Sequence, residues 1–217
     1  MPGSSKRREP AEAPGSAALA TRLLLVYGVL IWLTYRFGRD FIDLLLPAFR
    51  EVIGMLDDHY RILLLETGTE GADTIVRLDV TLAKPIFLNG HLIMPHAKGL
   101  ATVTTAIGTI LQIPLVSLGL ILAWPVRRTV EQLQRLGIAL LLIIPVLLFD
   151  TPLILWASLW DLHVHAMEPD RFSFLLIWQR FLISGGRLAI GLALGITAIA
   201  LAKLFAGVNN RFRFSSP

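Results

Sequence analysis

Four stretches of this chain stay apolar for about twenty residues, and between the first two the pattern changes from a helical stripe to strict alternation. The apolar stretches are about 18–37, centred on LLLVYGVLIWL; 100–124, with no charge between Lys98 and Arg127; 136–160, with Asp150 its only charge; and 188–206. About 20 apolar residues in a helix cross the roughly 30 Å hydrocarbon core of a bilayer, so each stretch predicts a transmembrane helix. The start of the fourth is open: DRFSFLLIWQRFLISGGR before it fits either an interfacial helix or an early, tilted entry. The first stretch reads as an uncleaved anchor, because it continues into YRFGRDF with no small-residue cleavage site.

The segment 38–99 carries two different periods. Ile42, Leu45, Leu46, Phe49, Val52, Ile53, Leu56, Tyr60, Leu63 and Leu64 recur at helical spacing and predict an amphipathic helix, with Pro47 kinking or restarting it. TGTEGAD breaks that helix. In TIVRLDVTLA, Val76, Leu78, Val80 and Leu82 alternate with polar residues, which predicts a half-buried strand. IFL-NG-HLI then predicts a hairpin, since Asn-Gly suits a turn that needs φ > 0 twice. A two-residue turn pairs Leu88 with His91 and Ile86 with Ile93. The expected subdomain is an amphipathic helix plus a small sheet of about three strands, with Lys84–Gly108 as its junction to the bilayer.

The fold class expected is therefore mainly α: a polytopic membrane protein, a four-helix transmembrane bundle with a small outer α+β insertion between spans one and two. Composition agrees, at 54% hydrophobic and 17% charged residues with mean hydropathy +0.65, since soluble domains carry nearer a quarter charged. Charge distribution sets the orientation. Lys6, Arg7, Arg8 and Arg22, then Arg127, Arg128 and Arg135, then Lys203, Arg211 and Arg213 fall at one set of span ends. Basic residues are retained on the cytoplasmic side. Both termini (a disordered basic tail, 1–17, and a tail at 207–217) and the loop 125–135 are thus expected in the cytoplasm of a bacterial inner membrane. Loops 38–99 and 161–187 are expected in the periplasm. The net charge of +4 is accounted for by this bias, and no nucleic-acid motif accompanies it.

All five histidines then fall outside. The chain has no cysteine, which excludes thiol nucleophiles, disulfides and thiolate metal sites. No G-x-S-x-G, H-E-x-x-H, P-loop or G-x-G-x-x-G occurs. An enzyme reading rests on His163 and His165 in DLHVHAMEPDRF, with Asp161, Glu168 and Asp170 nearby, and on His91 and His96, as metal ligands. On a strand, H-x-H points both rings to one face; a hydrated polar loop is the plainer alternative. Asp150, between Pro145 and Pro152, is either a proton or ion relay of a small transporter or a packing contact with Thr104, Thr105, Gln112 or Ser117. Gly191 and Gly195, four apart, permit close helix approach.

In the order FREVIGMLDDHYRILL, IFLNGHLIMP, HAKGLATVTTAIG, the region from about 41 to 124 resembles exosortases, polytopic bacterial membrane proteins that process C-terminal sorting signals. Their catalytic cysteine has no counterpart here, so no catalytic residue carries over. In length, four spans and an outer insertion after the first, the whole chain is similar to the exosortase H-associated membrane protein family, non-catalytic companions of those enzymes. The resemblance implies a non-enzymatic accessory in sorting or surface export, without a cofactor, touching an exosortase-like enzyme or its sorting-signal substrate. Ile86, Phe87, Leu88, His91, Leu92 and Ile93 are the expected contact edge, open to a peptide by strand addition.

Overall fold

The computed structural model describes residues 16–88, 91–96, 99–126, 129–167 and 172–213. The Asn89-Gly90 turn, Lys98, Arg127, Arg128, Glu168, Asp170 and the tail at 1–15 lie outside the described residues. The chain is mostly helical with a small sheet. Among the described residues, three helices are long and apolar enough to cross a membrane, and a shorter apolar one covers Gln112–Ala123.

The first helix, α1 (Ser16–Leu56), is one continuous element. The expected separation of a span from an amphipathic helix at residue 38 is not there, and Pro47 is carried inside the helix. The two halves differ in what they touch. The first exposes Leu24, Leu25, Val29 and Trp32, whereas the second buries Ile42, Phe49 and Ile53. The helix ends at Leu56 because the Asp57 carboxylate accepts the His59 backbone N–H at 2.8 Å, a local turn that competes with the helical bond.

Tyr60, Leu63 and Leu64, expected on the amphipathic helix, belong to strand β1 (Tyr60–Glu70). Their spacing imitates a helix because the register against the next strand shifts between Ile62 and Leu64. This bulge inserts one residue and returns Leu65 to the inner face. Strand β2 (Asp73–Leu82) follows through a turn at Gly71, whose φ of 62° is the left-handed conformation that glycine adopts without penalty. TGTEGAD is thus strand and turn.

The short strands β3 (Ile86–Leu88) and β4 (His91–Ile93) pair as a separate two-stranded sheet, Ile86 opposite Ile93 and Leu88 opposite His91. The third strand of the main sheet is β5 (Ala101–Ala106), giving the order β1-β2-β5. These six residues were expected to begin the second span. Thr102 and Thr104 alternate with Ala101 and Val103, a period-two pattern hidden in a charge-free run. Helix instead begins with α2 (Ile107–Ile110), breaks at Leu111 and resumes as α3 (Gln112–Ala123).

Helix α4 (Thr129–Met167) extends the expected third span at both ends, and takes in part of the basic loop and the whole H-x-H segment. After α5 (Phe174–Phe181), a π-helical stretch (Leu182–Gly186) holds Gly185 at φ 109°, and α6 (Arg187–Arg213) follows. The residues 207–213, expected as tail, are helical.

The inner face of the sheet (Val76, Leu78, Val80, Val103) packs on Phe49 and Ile53 of α1 and on Leu155 and Leu159 of α4. Burying each such side chain contributes about 1.5–3 kcal/mol. A second core joins Ile121, Ala139, Ile143, Ala198 and Ile199 of α3, α4 and α6. The chain therefore has a helical end and a sheet end. At the helical end, Gln132 Nε2 of α4 donates to Ile121 O of α3 at 3.2 Å. Arg22, Trp124, Thr129 and Gln132 line one cavity there.

Candidate functional site

At the sheet end, a half-open cavity of about 220 Å³ lies where β1, β2 and β4 meet α4, with Met94, His96 and Gly99 at its edge. Val80, Leu82, Ile93 and Met94 give it apolar walls, and Leu100 and Ala101 complete them. The polar groups come from Tyr60, His96 and His163. Tyr60 opens β1 opposite Leu82, and His163 stands near the end of α4. The Tyr60 hydroxyl lies 3.1 Å from His163 Nδ1, and the same nitrogen lies 2.9 Å from Leu159 O. A carbonyl oxygen only accepts, so Nδ1 carries a proton directed at Leu159 O. Burial, and then the negative charge of Asp57, push the Tyr60 phenol up to about 12. Tyr60 therefore remains a neutral hydroxyl at physiological pH.

The hairpin beside the cavity turns an exposed apolar face outward. Phe87 and Leu92, directly opposite one another across β3–β4, are 70% and 58% exposed. Met94 and Leu100 are exposed as well, and both line the cavity. Of the expected contact edge, Ile86 faces inward and is buried, Ile93 packs partly against the same core, and Phe87 and Leu92 face out. Leu88 and His91 are placed as a backbone pair.

Among the expected metal ligands whose side chains are described, His163 and His165 point apart. His163 and His165 sit on a helix, where positions two apart point about 200° away from each other. His163 meets Tyr60, while His165 Nδ1 lies 3.2 Å from Asp161 Oδ1, one helical turn back. His96 shares the cavity with His163. A different group, Asp57, Asp58 and His59, brings three potential ligand atoms together after α1. Its atoms are already engaged. Asp57 Oδ1 lies 2.6 Å from His59 Nδ1, Asp57 Oδ2 accepts Trp156 Nε1 at 3.1 Å, and Asp58 pairs with Lys84. The Lys84 ammonium holds the Asp58 carboxyl below the usual carboxylate range.

Asp150 has a cationic partner that the sequence reading did not assign. Arg187 Nε donates to Asp150 Oδ2 at 3.0 Å, and Nη2 lies 2.8 Å from the same oxygen. Both residues are buried, at 8% and 1% exposed. Of the partners expected for Asp150, Ser117 is occupied elsewhere: its Oγ lies 2.7 Å from Ile113 O and 2.9 Å from Gly191 O, sharing one proton between them. Thr104 donates to Glu70.

Gly191 and Gly195 face α3. A Cβ on Gly191 would lie 3.0 Å from Val116 Cβ, and one on Gly195 would lie 3.0 Å from Leu120 Cδ2. Arg135, expected in a cytoplasmic loop, is buried in α4 with Nη2 2.5 Å from Glu131 Oε1. Tyr60, Arg187 and Arg135 are thus the polar residues that the sequence reading missed. Arg187 had one visible signal, a lone cation at the head of an apolar helix after Gly-Gly. No protein-family model, no curated protein and no solved structure matches this chain.

Proposed function

We propose that this chain is an integral membrane protein crossing the bilayer with α1, α3, α4 and α6, and that it serves as a non-enzymatic accessory whose sheet end contacts a partner. The helix dimensions support the membrane reading. Arg22 to Gly38, Ile107 to Trp124, Gln132 to Asp150 and Arg187 to Lys203 each span about 24–27 Å at the helical rise. These lengths agree with one another and approach the roughly 30 Å hydrocarbon thickness. Gly38 lies against Leu111 and Ile107, which aligns the ends of two of these intervals. The apolar first half of α1 packs on α3 along one face, through Tyr27 and Gly38, and exposes the apolar residues of its other faces, as lipid contact requires. Basic residues at the helical end orient that end to the cytoplasm and the sheet to the periplasm.

The boundary moves relative to the sequence expectation. The chain enters the bilayer after Ala106, where β5 gives way to α2. The segment around His96 stands at the opposite end of β5, about 17 Å higher at the rise of a strand. His163 is about 20 Å beyond Asp150 along α4. Hairpin and cavity therefore form the distal tip of the outer domain.

The observation that supports the accessory reading is the exposed apolar face of this hairpin, where Phe87 and Leu92 stand side by side on the outer face. Such a patch on a soluble face marks an interaction site. The similarity to the exosortase H-associated membrane protein family supplies the partner, an exosortase-like enzyme or a protein bearing its C-terminal sorting signal. A photo-crosslinking residue at Phe87 or Leu92 in native membranes should yield an adduct that mass spectrometry identifies as one of these. The same residue at Asp73, in the β1–β2 turn, should not. Equal adducts from all three positions, or adducts with neither class, would defeat the reading.

A further inference from the structure

The residues that mark the inner ends of three spans meet in one place. Arg22 of α1, Trp124 at the end of α3 and Gln132 of α4 all line the cavity of about 590 Å³ at the helical end, with Thr129, Val26 and Leu122. Its lining is graded along the helices. Thr129 opens α4 and Gln132 follows three residues on, whereas Val26 lies one turn beyond Arg22 in the direction of the sheet end. Polar groups thus stand at the proposed inner membrane boundary, and Val26 and Leu122 stand deeper in the span. Leu122 and Trp124 are exposed and open the cavity to the surrounding lipid. Such a gradient at that depth matches an amphiphile, with its headgroup at the boundary and its chain in the hydrocarbon.

Hydrogen bonding and charge narrow the headgroup. Gln132 Nε2 donates to Ile121 O at 3.2 Å, and that contact fixes which way the amide points. The other amide atom, Oε1, is buried and accepts no hydrogen bond. Arg135, three residues on and so on the same side of α4, is 2% exposed, and its Nε and Nη1 are also without partners. Buried polar groups left unmatched are costly, so an occupant that supplies a donor to Oε1 gains by it. Glu131 pairs with Arg135, and Arg22 has no carboxylate partner among the described residues. The balance is positive. Basic pockets between helices on the cytoplasmic side suit anionic headgroups.

We propose that this cavity binds one anionic phospholipid of the inner leaflet, with its phosphate on Arg22, a headgroup hydroxyl donating to Gln132 Oε1, and its first methylenes beside Val26 and Leu122. A glycerol headgroup on a phosphodiester supplies both the charge and the hydroxyl. This rests on the membrane arrangement proposed above and is independent of the accessory role.

The test is native mass spectrometry of the full chain in mild detergent, supplied with equimolar lipids of matched acyl chains. Phosphatidylglycerol carries the charge and the hydroxyls, phosphatidylmethanol the charge alone, and phosphatidylcholine neither. Phosphatidylglycerol should be retained about fivefold over phosphatidylmethanol, the worth of one hydrogen bond. The margin over phosphatidylcholine should be wider, since a basic contact adds about fivefold again. Arg22→Gln, at an exposed position and so safe for folding, should remove the preference for anionic lipids. Arg36→Gln, also exposed and about 21 Å further along α1, should leave it intact. Gln132→Leu, checked for folding by its thermal unfolding curve, should make the two anionic lipids equivalent. Equal effects of the two arginine variants, or a Gln132→Leu chain that still discriminates the hydroxyl, would overturn the proposal. Displacement of the lipid by millimolar glycerol phosphate would assign the site to a soluble anion and overturn it too. Three lipids retained alike would remove the site and leave the membrane arrangement standing. A chain that stays dispersed without detergent or lipid would remove the arrangement and the site together.

Discussion

At the scale of single residues, the decisive feature is the Asp150–Arg187 pair. Its two members are distant in sequence and meet where α4 passes the start of α6. Sequence reading finds the carboxylate, because an acid in an apolar run is costly and conspicuous. It does not find the arginine, since nothing local distinguishes a cation that snorkels from one that turns inward to a partner. Arg187 reads as loop because it precedes the apolar run, yet it is less exposed than most of the leucines that follow. A buried pair of this kind has a characteristic signature. Removing one partner leaves an uncompensated charge and costs about 3–5 kcal/mol, whereas replacing both with apolar side chains is close to neutral. Arg187→Met and Asp150→Leu should therefore each lower the melting temperature in detergent sharply, and the double variant should recover most of the loss. Additive losses in the double variant would mean that the two charges do not act as a pair.

At the scale of elements, legibility depended on whether local sequence alone decided the conformation. The β3–β4 hairpin was legible because its turn chemistry and alternation agree and need no distant partner. The H-x-H segment was not, because its helical state comes from α4 continuing beyond the expected span, where Val164 is buried. Strand β5 was missed for a related reason. Its six residues are apolar or hydroxylic, equally suited to helix entry or strand, and pairing with β2 decides between them. Small residues are a further case in which spacing shows only part of the contact. Gly191 and Gly195 stood out by their interval, but the closest approach in the helical end is at Gly119, where an added Cβ would lie 2.5 Å from Tyr27 Cζ. The Tyr27 hydroxyl also donates to Val116 O at 3.3 Å, so the ring is tied across α3. Gly119→Ala should destabilise the α1–α3 contact by about 1–3 kcal/mol, as overpacking does. Adding Tyr27→Ala should remove that penalty, because the clash is with the ring. A Gly119→Ala chain as stable as the parent would show that α1 and α3 pack less closely than this.

At the scale of the whole molecule, the direction of the sheet relative to the helices decides what the sheet end can touch in the proposed membrane arrangement. The Gly71 turn, which joins β1 to β2, lies at the same end of the sheet as Ala106, since Ile75 of β2 pairs with Ala106. Tyr60 and Leu82 pair at the other end, beside the cavity. The turn should thus hang near the bilayer surface and the hairpin should stand away from it. The absence of cysteine makes this measurable without background, because a single introduced thiol is the only labelling site. A fluorophore at Asp73→Cys and one at Leu92→Cys, in nanodiscs containing a lipid with a nitroxide on its headgroup, should respond differently. Both should react with a membrane-impermeant maleimide from the periplasmic face. Asp73→Cys should be strongly quenched, and Leu92→Cys, higher by about the length of β5, should be quenched little, since five strand steps come to about 17 Å. The reverse order would place the hairpin in the interface, as the sequence pattern first suggests. It would also return Phe87 and Leu92 to lipid contact, and a protein partner would no longer be needed to explain their exposure.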